Sequence, residues 1–167
     1  MTNLRTVRAY VAFGANLGDP VASFDFARAR LDQLPATDVV AYSSLYRSTP
    51  IGVDGQPDYL NAVIALDTAL SPHALLAAML EIEHEGGRVR AYHQSPRTLD
   101  LDLLLYGERS VADAVLQIPH PRMHERAFVL VPLAEIAPDA QVPGHGAVRD
   151  LLAGVAGQHI ERRPDAG

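Results

Sequence analysis

The 167-residue chain contains no cysteine, no lysine and no tryptophan. Without cysteine there is no disulfide framework, no thiolate zinc site and no cysteine nucleophile. Without lysine, the P-loop phosphate motif and Schiff-base chemistry are both excluded, and all 14 basic side chains are arginines. No stretch approaches the roughly 20 consecutive apolar residues of a membrane helix. The segment Met1-Thr2-Asn3-Leu4-Arg5 lacks the apolar core of a signal peptide, so a cytoplasmic protein is expected. A formal net charge of −6 argues against a surface that attracts nucleic acid overall. What is present is ordinary for a globular chain: 48% hydrophobic and 20% charged residues, which argues against intrinsic disorder. The length suits one domain over residues 1–167.

Residues 7–13 read as a strand that enters a turn at Gly14-Ala15-Asn16-Leu17-Gly18. Asp19-Pro20 is a cap-then-proline helix start, and Phe24, Ala27, Leu31 and Leu34 recur at helical spacing until Pro35. A second strand is predicted over 39–46, a breaker-rich loop over 48–57 and a third strand over 59–66. Ser71-Pro72 opens a helix expected to run to about Glu85 and to stop at Gly86-Gly87. A polar loop with three arginines spans 88–97, and a fourth strand is predicted over 98–106. Ile118-Pro119-His120-Pro121 is expected to be irregular, a last main helix to span 125–136, and the tail from Gly154 to be mobile. This order favours an α+β sandwich, an antiparallel sheet with helices packed on its faces.

The segment Leu99-Asp100-Leu101-Asp102-Leu103-Leu104-Leu105 carries the clearest chemistry. Strand alternation places Leu99, Leu101, Leu103 and Leu105 on one face and Asp100 and Asp102 on the other. Two like charges on one strand face need compensation, either by solvent or by a hard dication such as magnesium shared with phosphate oxygens. Arg88, Arg90, Arg97 and Arg126 supply guanidinium groups suited to a polyphosphate, with ion pairs to Glu81, Glu83 and Glu85 as the alternative use. Tyr59 and Asn61 share a strand face and, with Phe128, offer rings and an amide to a planar heterocycle, though either ring taken singly is more often a core residue. His73, His84, His93, His124, His145 and His159 show no metal-ligand spacing.

The signature Pro96-Arg97-Thr98-Leu99-Asp100-Leu101-Asp102 resembles the 6-hydroxymethyl-7,8-dihydropterin pyrophosphokinase family. Supporting it in order are Phe13-Gly14-Ala15-Asn16-Leu17-Gly18, Tyr46-Arg47-Ser48-Thr49-Pro50-Ile51-Gly52, Gln56-Pro57-Asp58-Tyr59-Leu60-Asn61, Glu83 with Gly87-Arg88-Val89-Arg90, Pro119-His120, and Arg126-Ala127-Phe128. The resemblance covers a core of about residues 5–152. It implies a ferredoxin-like α+β fold and transfer of pyrophosphate from ATP to the substrate's hydroxymethyl group, with release of AMP, in folate synthesis. By the same resemblance Asp100 and Asp102 would hold two magnesium ions, while Arg88 and Arg97 would bind phosphates and stabilise developing charge. Arg90, His120 and Arg126 would help hold ATP, and Leu76, Glu83 and Leu103 would lie near its nucleoside. The dihydropterin would sit between Tyr59 and Phe128, with Asn61 at its edge and the segment Ser48, Thr49, Pro50, Ile51 and Gly52 completing the slot. The family suggests a monomer.

Two departures stand out. Many members carry tryptophan-glycine before Pro-Arg-Thr, where this chain reads Ala91-Tyr92-His93-Gln94-Ser95. His120 is followed by Pro121 where an aromatic residue often stands. A binding paralogue whose altered loop impairs turnover is therefore the alternative reading.

Overall fold

The computed structural model describes residues 5–15, 19–48, 59–89 and 99–162. Strand β1 (Val7–Ala15) buries Ala9, Val11, Phe13 and Ala15 on one face, the period-2 pattern of its sequence. Helix α1 (Pro20–Asp32) follows, with Asp19 as N-cap accepting from Ala22 N at 3.1 Å and proline in the first turn. Then come β2 (Thr37–Tyr42), β3 (Tyr46–Ser48), β4 (Tyr59–Thr68), α2 (Pro72–Val89) and β5 (Asp100–Tyr106). With β2 and β3 both pairing β4, the antiparallel sheet runs β3-β4-β1-β5. Counting β2 and β3 as one interrupted strand, this is the β-α-β-β-α-β ferredoxin-like arrangement.

Each sheet face has its own core. On one, Phe24, Ala27 and Leu31 of α1 and Leu75, Met79 and Ile82 of α2 pack on Val11, Phe13, Ile64, Leu101 and Leu103. On the other, Ala127, Val129, Leu130 and Leu133 of α3 (Ala127–Ile136) pack on Val63, Leu104 and Leu105. A small hairpin, β6 (Val111–Ala112) with β7 (Gln117–Ile118), flanks β5. A second hairpin, β8 (Gln141–Val142) with β9 (Gly146–Ala147), and the short α4 (Val148–Leu151) complete the second core. Helix α3 reaches only part of that second face, and the remainder floors a cleft. Among the described residues no helix is long and apolar enough to cross a membrane.

Several boundaries differ from the sequence reading, each for a local reason. The strand expected over 39–46 begins at Thr37 and breaks after Tyr42, because Ser43 and Ser44 divert the ladder. Ser43 Oγ accepts from Val63 N at 2.9 Å, and Ser44 N donates to the Glu135 carboxylate at 3.1 Å. Helix α2 does not stop at Gly86-Gly87 but runs to Val89. Gly86 is a packing glycine there: a Cβ on it would overlap the Leu99 side chain. Leu105 does not share a face with Leu103, since a bulge between the pairs Tyr10–Leu105 and Val11–Leu103 moves it into the second core. Ile118 belongs to β7, and the last main helix starts at Ala127 after a 3₁₀ turn over Met123–Glu125. Within the segment from Gly154, Val155 is buried in the second core and β10 (Glu161–Arg162) pairs with β3.

Candidate active site

Two cavities meet at the aspartates of β5. The larger, about 730 Å³, is floored by Ala12, Gly14, Asn61, Asp100 and Asp102 and walled by Ser48 and Tyr59 on one side and Arg126 and Phe128 on the other. The smaller, about 330 Å³, is lined by Leu76, Leu103, His120, Pro121 and the loop between β6 and β7. Asp102 lines both.

Both carboxylates face the larger cavity because β5 alternates. Leu101 and Leu103 are buried in the first core, while Asp102 is exposed and Asp100 half-buried on the opposite face. A buried carboxylate fixes the strand between them: Glu83 Oε2 accepts from Leu101 N at 2.7 Å. Glu83 is not among the residues that line either cavity.

Asn61 is buried in β4, and its Nδ2 donates to Ser48 Oγ at 2.7 Å, with Tyr46 O and Tyr59 O each at 3.5 Å. Both carbonyls can only accept, so the NH₂ end of the amide is fixed towards them. Oδ1 therefore turns towards Gly14, 3.6 Å from where a Cβ on that glycine would stand. Ser48 is half-buried, and its hydroxyl accepts from Asn61 and keeps its own hydrogen for another partner.

Strand β3, which carries Ser48, is tied to α3 through Glu135. Its carboxylate accepts from Tyr46 Oη at 2.6 Å and from Ser44 Oγ at 3.1 Å. Burial, then the hydrogen bond to Glu135 and its negative charge, push the Tyr46 phenol up to about 12, against the opposing charge of Arg162. Across the cleft, the Arg126 guanidinium lies 5.4 Å from the Phe128 ring centre. His120 Nδ1 accepts from Arg122 N at 3.3 Å. Burial lowers the His120 pKa; Asp102 opposes this, and Arg126 and Arg122 add to it.

The structure thus brings Asp100, Asp102, Ser48, Tyr59, Asn61, Arg126 and Phe128 to one cleft, and Leu76, Leu103 and His120 to its neighbour. Thr49, Pro50, Ile51, Gly52, Arg90 and Arg97, with the loop residues Ala91, Tyr92, His93, Gln94 and Ser95, lie outside the described residues, as does the side chain of Arg88. The sequence reading missed Ala12 and the wall formed by Gly157, Gln158 and His159. No periodicity or motif marks those three, which reach the cleft only through long-range packing.

A family model described as 7,8-dihydro-6-hydroxymethylpterin-pyrophosphokinase matches residues 10–138. A Pseudomonas aeruginosa 2-amino-4-hydroxy-6-hydroxymethyldihydropteridine pyrophosphokinase is 47% identical over 159 residues, covering 95% of this chain and 98% of that protein. Proteins of the same name from Haemophilus influenzae and Methylorubrum extorquens are each 46% identical, covering 87% and 93% of this chain and 91% and 98% of theirs. Among solved structures, a Plasmodium falciparum HPPK-DHPS triple mutant superposes with a TM-score of 0.72 at 13% identity, over 90% of this chain and 44% of that one. That likeness concerns the fold, and this chain spans under half of the longer protein. The match over most of the sequence, together with the paired aspartates and the two adjoining cavities, places the chain in the 7,8-dihydro-6-hydroxymethylpterin-pyrophosphokinase family.

Proposed function

We propose that the larger cleft holds the dihydropterin, the smaller cavity holds the nucleoside of ATP, and the reacting phosphates lie between them over Asp100 and Asp102. The reaction itself follows from family membership: pyrophosphoryl transfer from ATP to the hydroxymethyl group of a dihydropterin in folate synthesis. The observation that carries the residue assignment is the position of Asp102, which borders both cavities. The alternative of a paralogue with impaired turnover finds no support in relatives that carry the enzyme's name at 46–47% identity.

In this reading the hydroxymethyl oxygen attacks the β-phosphorus of ATP and loses its proton. The bond from that phosphorus to the oxygen bridging the α-phosphate breaks, and AMP leaves. Tyr59 and Phe128 flank the ring, and Asn61 presents Oδ1 to its edge. Arg126 and His120 border the path of the phosphates. Arg88, Arg90 and Arg97 are proposed as further phosphate ligands on the strength of their motif positions. Catalysis of this kind rests on positioning and charge stabilisation.

Asp100 and Asp102 also fit as ligands of two magnesium ions. Among the described residues no three or more His, Asp or Glu side chains gather as a closed metal cage. A carboxylate pair on one strand face is the donor set of a hard cation shared with phosphate oxygens. When bound, magnesium would neutralise phosphate charge and align the chain of phosphates.

The test is an assay with ATP, magnesium and 6-hydroxymethyl-7,8-dihydropterin that separates AMP from ADP. Pterin-dependent AMP supports the proposal; ADP would mean single-phosphoryl transfer and overturn it. The proposal includes a monomer working in the cytoplasm. A solution mass of twice 18.0 kDa would overturn the first part.

A further inference from the structure

We propose that Gln158 is a positioning residue that sets Phe128 and Arg126 in the cleft, and that the segment around it is a working wall of the site. The inference rests on the dihydropterin reading of that cleft.

The argument starts from the N-terminus of α3. Its N-cap residue is Arg126, with an extended backbone (φ −123°, ψ 116°) and no side-chain cap bond. The first N–H groups of a helix have no partner within it. The partner comes from 31 residues further along the chain: Gln158 Oε1 accepts from Ala127 N at 2.9 Å. The other end of the same amide is used as well, since Gln158 Nε2 donates to Glu125 O at 2.7 Å. One primary amide thus spans Arg126, and both of its ends have backbone partners of the right polarity. The residue it straddles and the one just beyond its bond, Arg126 and Phe128, line the cleft from this side together with Ala127 and Val129.

Gln158 is itself held at both ends. Its own N–H donates to Val155 O at 3.0 Å, and Val155 is buried in the second core. Downstream, Glu161 and Arg162 pair with Arg47 and Tyr46 of β3, the strand that continues into Ser48 on the opposite wall. The segment therefore joins the Phe128 side of the cleft to the Ser48 side, and Gly157, Gln158 and His159 line the space between. The Gln158 residue is exposed, so truncating it opens no core cavity.

Three readouts test the proposal. In Gln158→Ala, the Ala127 amide is expected to exchange with solvent about tenfold faster, whether or not any ligand binds. The dihydropterin KM should rise about fivefold, with the change in KM exceeding that in kcat. Gln158→Glu keeps the acceptor for Ala127 N and loses the donor to Glu125 O, and should fall between the two. In a cycle with Phe128→Ala, the loss of dihydropterin binding from Gln158→Ala should shrink to less than twofold, because the ring it positions is gone.

Unchanged Ala127 exchange, an unchanged KM, or additive effects in the cycle would each overturn the inference. A wild-type protein that binds no dihydropterin would overturn the functional reading instead, while the exchange measurement would still decide the role of Gln158.

Discussion

Asn61 and Asp100 flank Gly14 in a single cross-strand row of the sheet, Asn61 on β4 and Asp100 on β5. Two interstrand steps of about 5 Å separate them, so roughly 10 Å lies between their Cα atoms. A bicyclic ring with a one-carbon arm spans that distance, and the glycine beneath leaves the floor flat. Substituting Gly14→Ala adds a methyl group whose nearest protein atom, Asn61 Oδ1, is at an ordinary contact distance. Stability should hold or rise by up to about 1 kcal/mol, because alanine restricts the unfolded chain. Dihydropterin binding should weaken at least fivefold. Thermal melting and titration calorimetry on the same variant would show the two effects moving apart; unchanged binding would remove Gly14 from the site.

Asp102→Ala should abolish pyrophosphoryl transfer, a loss of at least 10³-fold, on the order of what a charge-stabilising group supplies. Dihydropterin binding without nucleotide should stay measurable, since the proposed ring contacts lie on other residues. Near-normal turnover would sink the proposed place of Asp102 between the two substrates.

The orientation of the Asn61 amide is tested by Asn61→Asp, which puts an oxygen where Nδ2 faces Ser48 Oγ, Tyr46 O and Tyr59 O. A loss of about 1–3 kcal/mol is expected in chemical denaturation, because an acceptor then faces the Tyr46 and Tyr59 carbonyls, even though the Ser48 hydroxyl can turn its own hydrogen to the new oxygen. A variant as stable as the wild type would mean the amide sits the other way round.

The Tyr46 phenol should titrate well above the ordinary tyrosine value. Its phenol is raised from 10.0 to about 12 by burial and by Glu135, so the protonated form is favoured in the folded chain. Its contribution to stability is full below about pH 10 and is lost as pH climbs through about 12. Ultraviolet difference titration of wild type and Tyr46→Phe should show this raised step only in the former. The variant should also lose about 1.5–3 kcal/mol, the range for a hydrogen bond to a charged group.

Gly86→Ala is expected to destabilise the fold by about 1–3 kcal/mol, because the added methyl overlaps the buried Leu99 side chain. Leu99 directly precedes Asp100, so turnover should fall along with stability. Combining it with Leu99→Ala should recover part of the loss; full additivity of the two substitutions would argue against the contact.

The paired aspartates were legible from sequence because polar and apolar residues alternate cleanly from Leu99 to Leu103. Past Leu103 that signal ends: Leu104, Leu105 and Tyr106 are apolar on both faces, so no pattern could reveal the bulge that turns Leu105 over. Gly86 misled for a related reason, since its role is set by a leucine 13 residues away rather than by local chain geometry. The break after Tyr42 needed Val63 and Glu135 to be in place before its serines could divert the ladder. Gln158 carried no signal at all: a lone amide in a polar stretch gains meaning only when α3 lies beside it.

The bond from Leu101 N to Glu83 has an effect unconnected with substrates. Among the described residues β5 ends the row of paired strands, and the border of a sheet is where unpaired amides and carbonyls can recruit a strand from a neighbouring molecule. Here the Glu83 carboxylate occupies the Leu101 amide at 2.7 Å, and His120 N donates to Leu104 O at 3.1 Å. Both groups are taken before another chain could use them, and the seven-residue strand is blocked near its start and past its middle. The Glu83 carboxylate and the His120 backbone therefore leave less of this border open to strand-by-strand aggregation.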